Sequence, residues 1–121
     1  MNWSIAIVVL VIVIALFTLK RMSFVPEKMA RKLLKEGALV VDVRGKDEFQ
    51  SGHLPGALNI PLGELSASVP RRVPDKNQVL LLHCLSGTRS GIAKRQLQGL
   101  GYTNVFNLGS YGRARQIVSG K

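Results

Sequence analysis

The chain has 121 residues, 46% of them hydrophobic, and a formal net charge of +10 from 17 Lys and Arg against 7 Asp and Glu. One cysteine excludes an internal disulfide, and two histidines add no cluster that would complete a metal site. The positive charge does not indicate nucleic acid as partner, because the cations are spread along the chain, aromatic residues are 6% and no nucleic-acid motif occurs.

From the N-terminus, residues Trp3 to Leu19 carry no charged side chain. At about 1.5 Å rise per residue they span roughly 25 Å, the short end for crossing a bilayer. Trp3 on one side and Lys20-Arg21 on the other suit the two interfaces. No Lys or Arg precedes the apolar run and no small-x-small cleavage site follows it, which favours a retained single-pass anchor over a cleaved signal peptide. Lys20, Arg21, Lys28, Arg31, Lys32 and Lys35 all follow the segment. The positive-inside rule then places the rest of the chain in the cytoplasm, at an inner or plasma membrane, which suits a reduced cysteine. The same cations sit where they can meet anionic headgroups. Residues 1–22 are thus expected to be the anchor with its basic flank, and 23–121 one small domain.

Ser23-Phe24-Val25 reads equally as a short strand or a linker. Pro26 to Glu36 reads as a helix, with Pro26 in the first turn, an apolar stripe of Met29, Ala30, Leu33 and Leu34, and Gly37 at its end. Ala38 to Val41 is an apolar run without alternation, as in a strand covered on both faces, and it ends at Asp42-Val43-Arg44. Lys46 to Gln50 is a short helix, Gly52 to Gly56 a turn, and Ala57 to Ile60 a strand stopped by Pro61. Leu62 to Val69 is weakly helical and Pro70 to Asn77 a loop. Gln78 to His83 is a strand, followed by a loop from Cys84 and a helix to about Gly99. Asn104 to Leu108 is the last strand. Gly109 to Gly112 is a turn, with a brief helix from Arg113. Alternating strands and helices predict an α/β domain with a parallel sheet, whose ligand site lies at the carboxyl ends of the strands. Asp42–Arg44, Cys84–Arg89 and Gly109–Tyr111 all follow strand ends and share that edge.

Cys84 opens the segment Cys84-Leu85-Ser86-Gly87-Thr88-Arg89-Ser90 at a strand-to-helix turn. Backbone N–H groups and the positive end of a helix dipole converge there and favour thiolate over thiol. A lone cysteine is ordinarily a small buried core residue. Here Gly87 permits a backbone that turns successive N–H groups inward, and Arg89 adds a fixed cation, an arrangement suited to an anion rather than to an apolar core.

Asp42-Val43-Arg44, Glu48-Phe49, Gly52-His53-Leu54-Pro55-Gly56-Ala57 and Asn59-Ile60-Pro61 closely resemble the front half of a rhodanese domain, and His83 to Ser90 resembles its active-site loop. The similarity runs from about Val25 to Leu108. It implies a parallel five-stranded sheet flanked by helices, and a sulfurtransferase. In that family the cysteine takes a sulfane sulfur from a donor such as thiosulfate, holds it as a persulfide and passes it to cyanide or a thiol. Carried onto this chain, Cys84 is the catalytic nucleophile and Leu85, Ser86, Gly87, Thr88 and Arg89 bind substrate. Asp42 and Arg44 are candidate supports behind the loop, and no cofactor is implied. The chain departs from the family in its Gly109-Ser110-Tyr111-Gly112 turn and in Leu85, where many thiosulfate-using members carry a basic or polar residue.

Two other readings bear on the same residues. Cysteine phosphatases share the Cys-(x)n-Arg-Ser pattern but have five residues between Cys and Arg, against four here, and no general acid is evident. A membrane-tethered persulfide-binding or regulatory module is the milder version of the sulfurtransferase. His53 is expected to fix its turn rather than move protons. His83 is expected to point to the opposite sheet face from Cys84. Arg44 and Glu48 are expected to form an ion pair at the strand-to-helix turn.

Overall fold

The computed structural model describes residues 2–120; Met1 and Lys121, the outer limits of the two expected regions, lie outside the described residues, as do the side chains of Arg21 and Met22. Trp3–Met22 forms one helix, α1. Its apolar side chains face outward along the whole segment to Lys20. At about 1.5 Å per residue it is roughly 30 Å long, the thickness of a hydrocarbon core. Its length and composition fit a membrane span and equally a signal sequence.

The remaining elements alternate as expected: α2 (Glu27–Lys35), β1 (Leu39–Asp42), α3 (Lys46–Ser51), β2 (Leu58–Asn59), a 3-10 turn at Leu62–Glu64, α4 (Leu65–Arg72), β3 (Leu80–His83), α5 (Thr88–Gly99), β4 (Val105–Gly109) and α6 (Tyr111–Ser119). The strands form one parallel sheet in the order β2-β1-β3-β4. Both faces are covered. Val41, Val43, Leu80, Leu82 and Cys84 pack with Leu65 and Val69 of α4 and Ala93 and Leu97 of α5. Val40, Leu81 and Leu108 pack with Ala30 of α2 and Ala114 and Ile117 of α6 on the other face.

The sheet has four strands, not the five expected. The segment at the outer edge of β4 makes a single strand-like bond, from Val25 N–H to the Asn107 carbonyl at 2.9 Å. The Val25 carbonyl is taken by the Arg113 guanidinium at 2.6 Å. Pro26 has no N–H to continue a ladder and instead begins α2.

Most boundaries shift by one or two residues, and in two places the element itself differs from the one expected. α4 continues through Pro70 to Arg72, where a loop was expected. Burying Leu65 and Val69 contributes about 1.5–3 kcal/mol each, which offsets the roughly 3 kcal/mol cost of an interior proline. The turn after β4 is the start of α6, because the Ser110 side chain caps it by accepting the Arg113 N–H at 3.1 Å.

Candidate active site around Cys84

Parallel register sets Asp42 beside His83, and His83 beside Gly109, so the three strands end together. The backbone past these ends stays tied: Val43 N–H donates to the His83 carbonyl at 3.0 Å, and Tyr111 N–H to the Leu85 carbonyl at 3.1 Å. An antiparallel bridge joins Ser86 to Ser110. The Cys84 loop is therefore clamped to the β4–α6 turn rather than free to rearrange.

Two glycines make the turn possible. Gly87 has φ +96°, and a Cβ there would sit 2.7 Å from the Phe24 ring. Gly109 has φ +94°, and its Cβ would sit 2.9 Å from the same ring. Both positions require the left-handed region and lack room for a methyl group.

Within this turn the Gly87 N–H donates to Cys84 Sγ at 3.0 Å, and Ser90 Oγ lies 3.5 Å from the sulfur. Cys84 is fully buried. Burial pushes its thiol up. The Ser90 hydroxyl and the backbone amides of Ser90, Gly87 and Ser86 push it down by more, so the thiol titrates below its usual range. A thiolate at this position would meet donors already in place around the sulfur.

Ser90 and Asn107, absent from the expected site, complete this shell. Ser90 Oγ lies 2.7 Å from Asn107 Oδ1, which also accepts the Gly109 N–H at 2.8 Å. Asn107 Nδ2 donates to the Gly87 carbonyl at 3.1 Å. One buried amide thus orients the hydroxyl, the glycine turn and the strand end. The signal in the sequence was a polar residue in an apolar strand, Val105-Phe106-Asn107-Leu108. The Ser90 hydroxyl has one proton for two acceptors, Asn107 and the thiolate. Ser90→Ala is expected to raise the pH midpoint of Cys84 alkylation by iodoacetamide; an unchanged midpoint would leave the amides as its only support.

The other predicted residues fall on the loop's rim and base. Leu85, Ser86 and Thr88 are exposed and Gly87 is buried. Arg89 forms a two-pronged pair with Glu48 of α3 at 2.6 and 3.0 Å. Glu48 also accepts the Gly45 N–H at 3.2 Å. The expected Arg44–Glu48 pair is therefore replaced: Glu48 holds Arg89, and Arg44 pairs with Asp42. Arg44 Nη2 lies 2.8 Å from Asp42 Oδ2 and 2.7 Å from the Gly52 carbonyl. Glu48 turns back to the amide of Gly45, three positions earlier at the start of α3, while the Asp42 side chain already holds Arg44.

Arg89 chiefly, with the Gly45 amide, pulls the Glu48 carboxyl down to about 2. A carboxylate lowered by folding contributes stability above its ordinary value of 4.5, and that contribution is lost as pH falls through about 2. Both side chains are more than a third exposed, 36% and 38%, so solvent screens the pair and the effect is small. Melting temperatures should fall less between pH 4.5 and 2 in Glu48→Gln than in the parent chain; parallel curves would contradict the pairing.

Beneath the loop, Asp42 and His83 are fully buried and Arg44 nearly so. The Arg44 guanidinium stacks 4.6 Å from the Tyr111 ring, which connects the Asp42–Arg44 pair to the residue bonded to Leu85. His83 points away from the Cys84 side, as strand alternation requires; its Nδ1 lies 3.3 Å from the Cys84 carbonyl and its Nε2 3.7 Å from Asp42. Burial lowers its pKa, with Asp42 opposing, and the ring is not placed to deprotonate Cys84. His53 stacks on Phe49 with 3.9 Å between centroids and bonds the Phe49 carbonyl through Nδ1 at 2.9 Å, the turn-fixing role expected of it.

Residues 25–112 match the family described as the rhodanese-like domain, a match that begins after α1. The thiosulfate sulfurtransferase PspE of Escherichia coli is 44% identical over 69 residues, covering 57% of this chain and 66%, just under two thirds, of that protein. The thiosulfate sulfurtransferase GlpE of Pseudomonas savastanoi pv. phaseolicola is 30% identical over 84 residues, 69% of this chain and 77% of that protein. Among solved structures, a human single-domain sulfurtransferase aligns with a TM-score of 0.67 at 32% identity, over 76% of this chain and 94% of its own. A rhodanese from E. coli solved with anions aligns at 0.61 and 39% identity, over 64% and 91%.

Proposed function

The chain belongs to the rhodanese-like domain family, and we propose that it is a rhodanese-type sulfurtransferase working through a persulfide on Cys84. The observation that carries this reading is the set of donors around a buried sulfur: the Gly87 amide at 3.0 Å and the Ser90 hydroxyl at 3.5 Å, with the loop closed by the Asn107 bonds. Such donors stabilise a thiolate and, one atom further out, a persulfide anion. With thiosulfate as donor, the Cys84 thiolate attacks the outer sulfur, the donor's S–S bond breaks, and sulfite leaves with the electron pair. Cyanide or a thiolate then attacks the outer persulfide sulfur and Cys84 departs as thiolate. Each half-reaction forms one bond to sulfur and breaks one, so no external oxidant or reductant is needed.

Leu85, Ser86, Gly87, Thr88 and Arg89 form the substrate-facing loop in this reading, and Asp42 and Arg44 support it from below. Arg89 acts first as a tie to Glu48, which holds the start of α5 against α3. The short four-residue interval between Cys84 and Arg89 encloses one sulfur atom rather than a tetrahedral phosphoryl group. Steady-state formation of thiocyanate by the full chain, with thiosulfate and cyanide both varied, should give parallel double-reciprocal lines. Intersecting lines, or no thiocyanate, would count against it.

Residues 1–22 serve in this proposal as a retained anchor with its basic flank, and 23–121 as the catalytic domain, facing the cytoplasm from an inner or plasma membrane. Protease added to right-side-out vesicles should leave the domain intact. Its digestion there would reverse the orientation.

A further inference from the structure

Lys20 is the first cation after the apolar segment, where a lysine ordinarily extends toward headgroups. Here its Nζ donates instead to Oγ1 of Thr88, the first residue of α5, at 3.3 Å on the exposed surface. One ammonium donor is thus used on the catalytic loop and two remain. Phe17 lies three positions earlier on the same helix face. Phe24, just past α1, lies against Gly87 and Gly109. A cleft of about 350 Å³ lies among Phe17, Lys20, Phe24, Ser86, Ser110 and Arg113. Its cations are fixed in different ways. Arg113 stacks 5.5 Å from the Phe24 ring and is bonded to the Leu108 and Val25 carbonyls. Lys20 stands at the boundary between α1 and the loop.

We infer that this cleft is a substrate subsite, built jointly by the anchor and the Cys84 loop, for sulfur anions that carry an apolar tail and arrive along the membrane surface. The inference rests on the proposed retention of α1 and on the Cys84 reading. Lys20 reads the negative charge. Phe17 and Phe24 form the apolar wall, with Phe17 on the bilayer side. Ser86, two residues after Cys84 in the loop, and Ser110 also line the cleft, and their hydroxyls accept or donate as the headgroup requires. An alkyl thiosulfonate anion has the required form. Attack of the Cys84 thiolate on its terminal sulfur would break the donor S–S bond and release an alkyl sulfinate, leaving the persulfide anion, with charge and electrons balanced.

The test uses the full chain in nanodiscs of phosphatidylethanolamine and phosphatidylglycerol, and reads modification of Cys84 by intact mass. The probes are methanethiosulfonates, which need only a reactive thiol and no persulfide chemistry. The first pair carries a sulfonatoethyl or a trimethylammonioethyl group. The anionic-to-cationic rate ratio should exceed one and fall about threefold or more in Lys20→Gln, the direction expected when one cation leaves a cleft of that sign. The second pair is hexyl and methyl. The hexyl-to-methyl ratio should fall in Phe17→Ser and stay unchanged in Lys20→Gln. A ratio that does not move in its own variant overturns the subsite. Failure of the sulfurtransferase reading shows separately, as no sulfur gained from thiosulfate while both ratios behave as described.

Discussion

Cys84→Ala is expected to abolish sulfur transfer, lowering thiocyanate formation by about a thousandfold or more, as removal of a covalent nucleophile does. The loss should reach all donors and acceptors alike, because both half-reactions of the proposed mechanism pass through the same sulfur. Cys84→Ser should be nearly as inactive. Its hydroxyl keeps the shape and the Gly87 contact, but the amides cannot bring an alcohol's ionisation near neutral pH. Folding should survive both changes, since Cys84 contributes one small side chain to a core cluster that includes Val41, Leu80, Leu82 and Leu97. Circular dichroism melts beside the activity assay separate the two effects. Retained transfer in a folded Cys84→Ala chain would remove the nucleophile from the account.

Asp42→Ala is expected to be the most destabilising single change near the site, by about 3–5 kcal/mol, because it leaves the Arg44 guanidinium buried without its counter-charge. Asp42 accepts four bonds from Arg44: from the backbone N–H at 2.9 Å, from Nε at 3.0 Å to each oxygen, and from Nη2 at 2.8 Å. Those bonds first, and the carboxylate charge after the opposing effect of burial, hold the Arg44 pKa above its usual value. A double change, Asp42→Leu with Arg44→Met, removes both charges and should recover much of the loss, since a buried pair replaced by apolar residues of similar size is often near neutral. The pair therefore matters more for what happens when it is broken than for its net contribution. A melting temperature for Asp42→Ala within a few degrees of the parent would contradict the buried-pair description.

The reading of the sequence was most reliable where one local pattern carried the information. Continuous apolar runs marked β1 and β3, because strands covered on both faces need no polar alternation. Gly87 between Cys84 and Arg89 marked the loop, because only its backbone freedom allows the turn. Local patterns failed where partners are distant in sequence. Arg44 is two residues from Asp42 and four from Glu48, and spacing alone did not choose between them; the choice depends on Arg89, 41 residues beyond Glu48, which reaches that carboxylate first. The fifth strand was lost to Pro26 and to Arg113, the latter 88 residues from Val25. Ser110 lies in a Gly-Ser-Tyr-Gly stretch whose composition suggests a turn, yet serine before a helix is a common cap and here it caps α6. Asn107 had a visible signal, a polar side chain in an apolar strand, but its three partners come from α5, the loop and its own strand end. The contact of Lys20 with Thr88 was not visible at all, because nothing in an apolar helix announces which domain surface its end will meet.

In the proposed mechanism Cys84 carries the transferred sulfur. The most direct test is the intact mass of the full chain before and after thiosulfate, and again after cyanide. The account predicts a gain of one sulfur atom, located on Cys84, absent in Cys84→Ala and removed by cyanide as thiocyanate. A parent chain whose Cys84 stays unmodified by thiosulfate and by organic persulfides, while still alkylated by iodoacetamide, would contradict it.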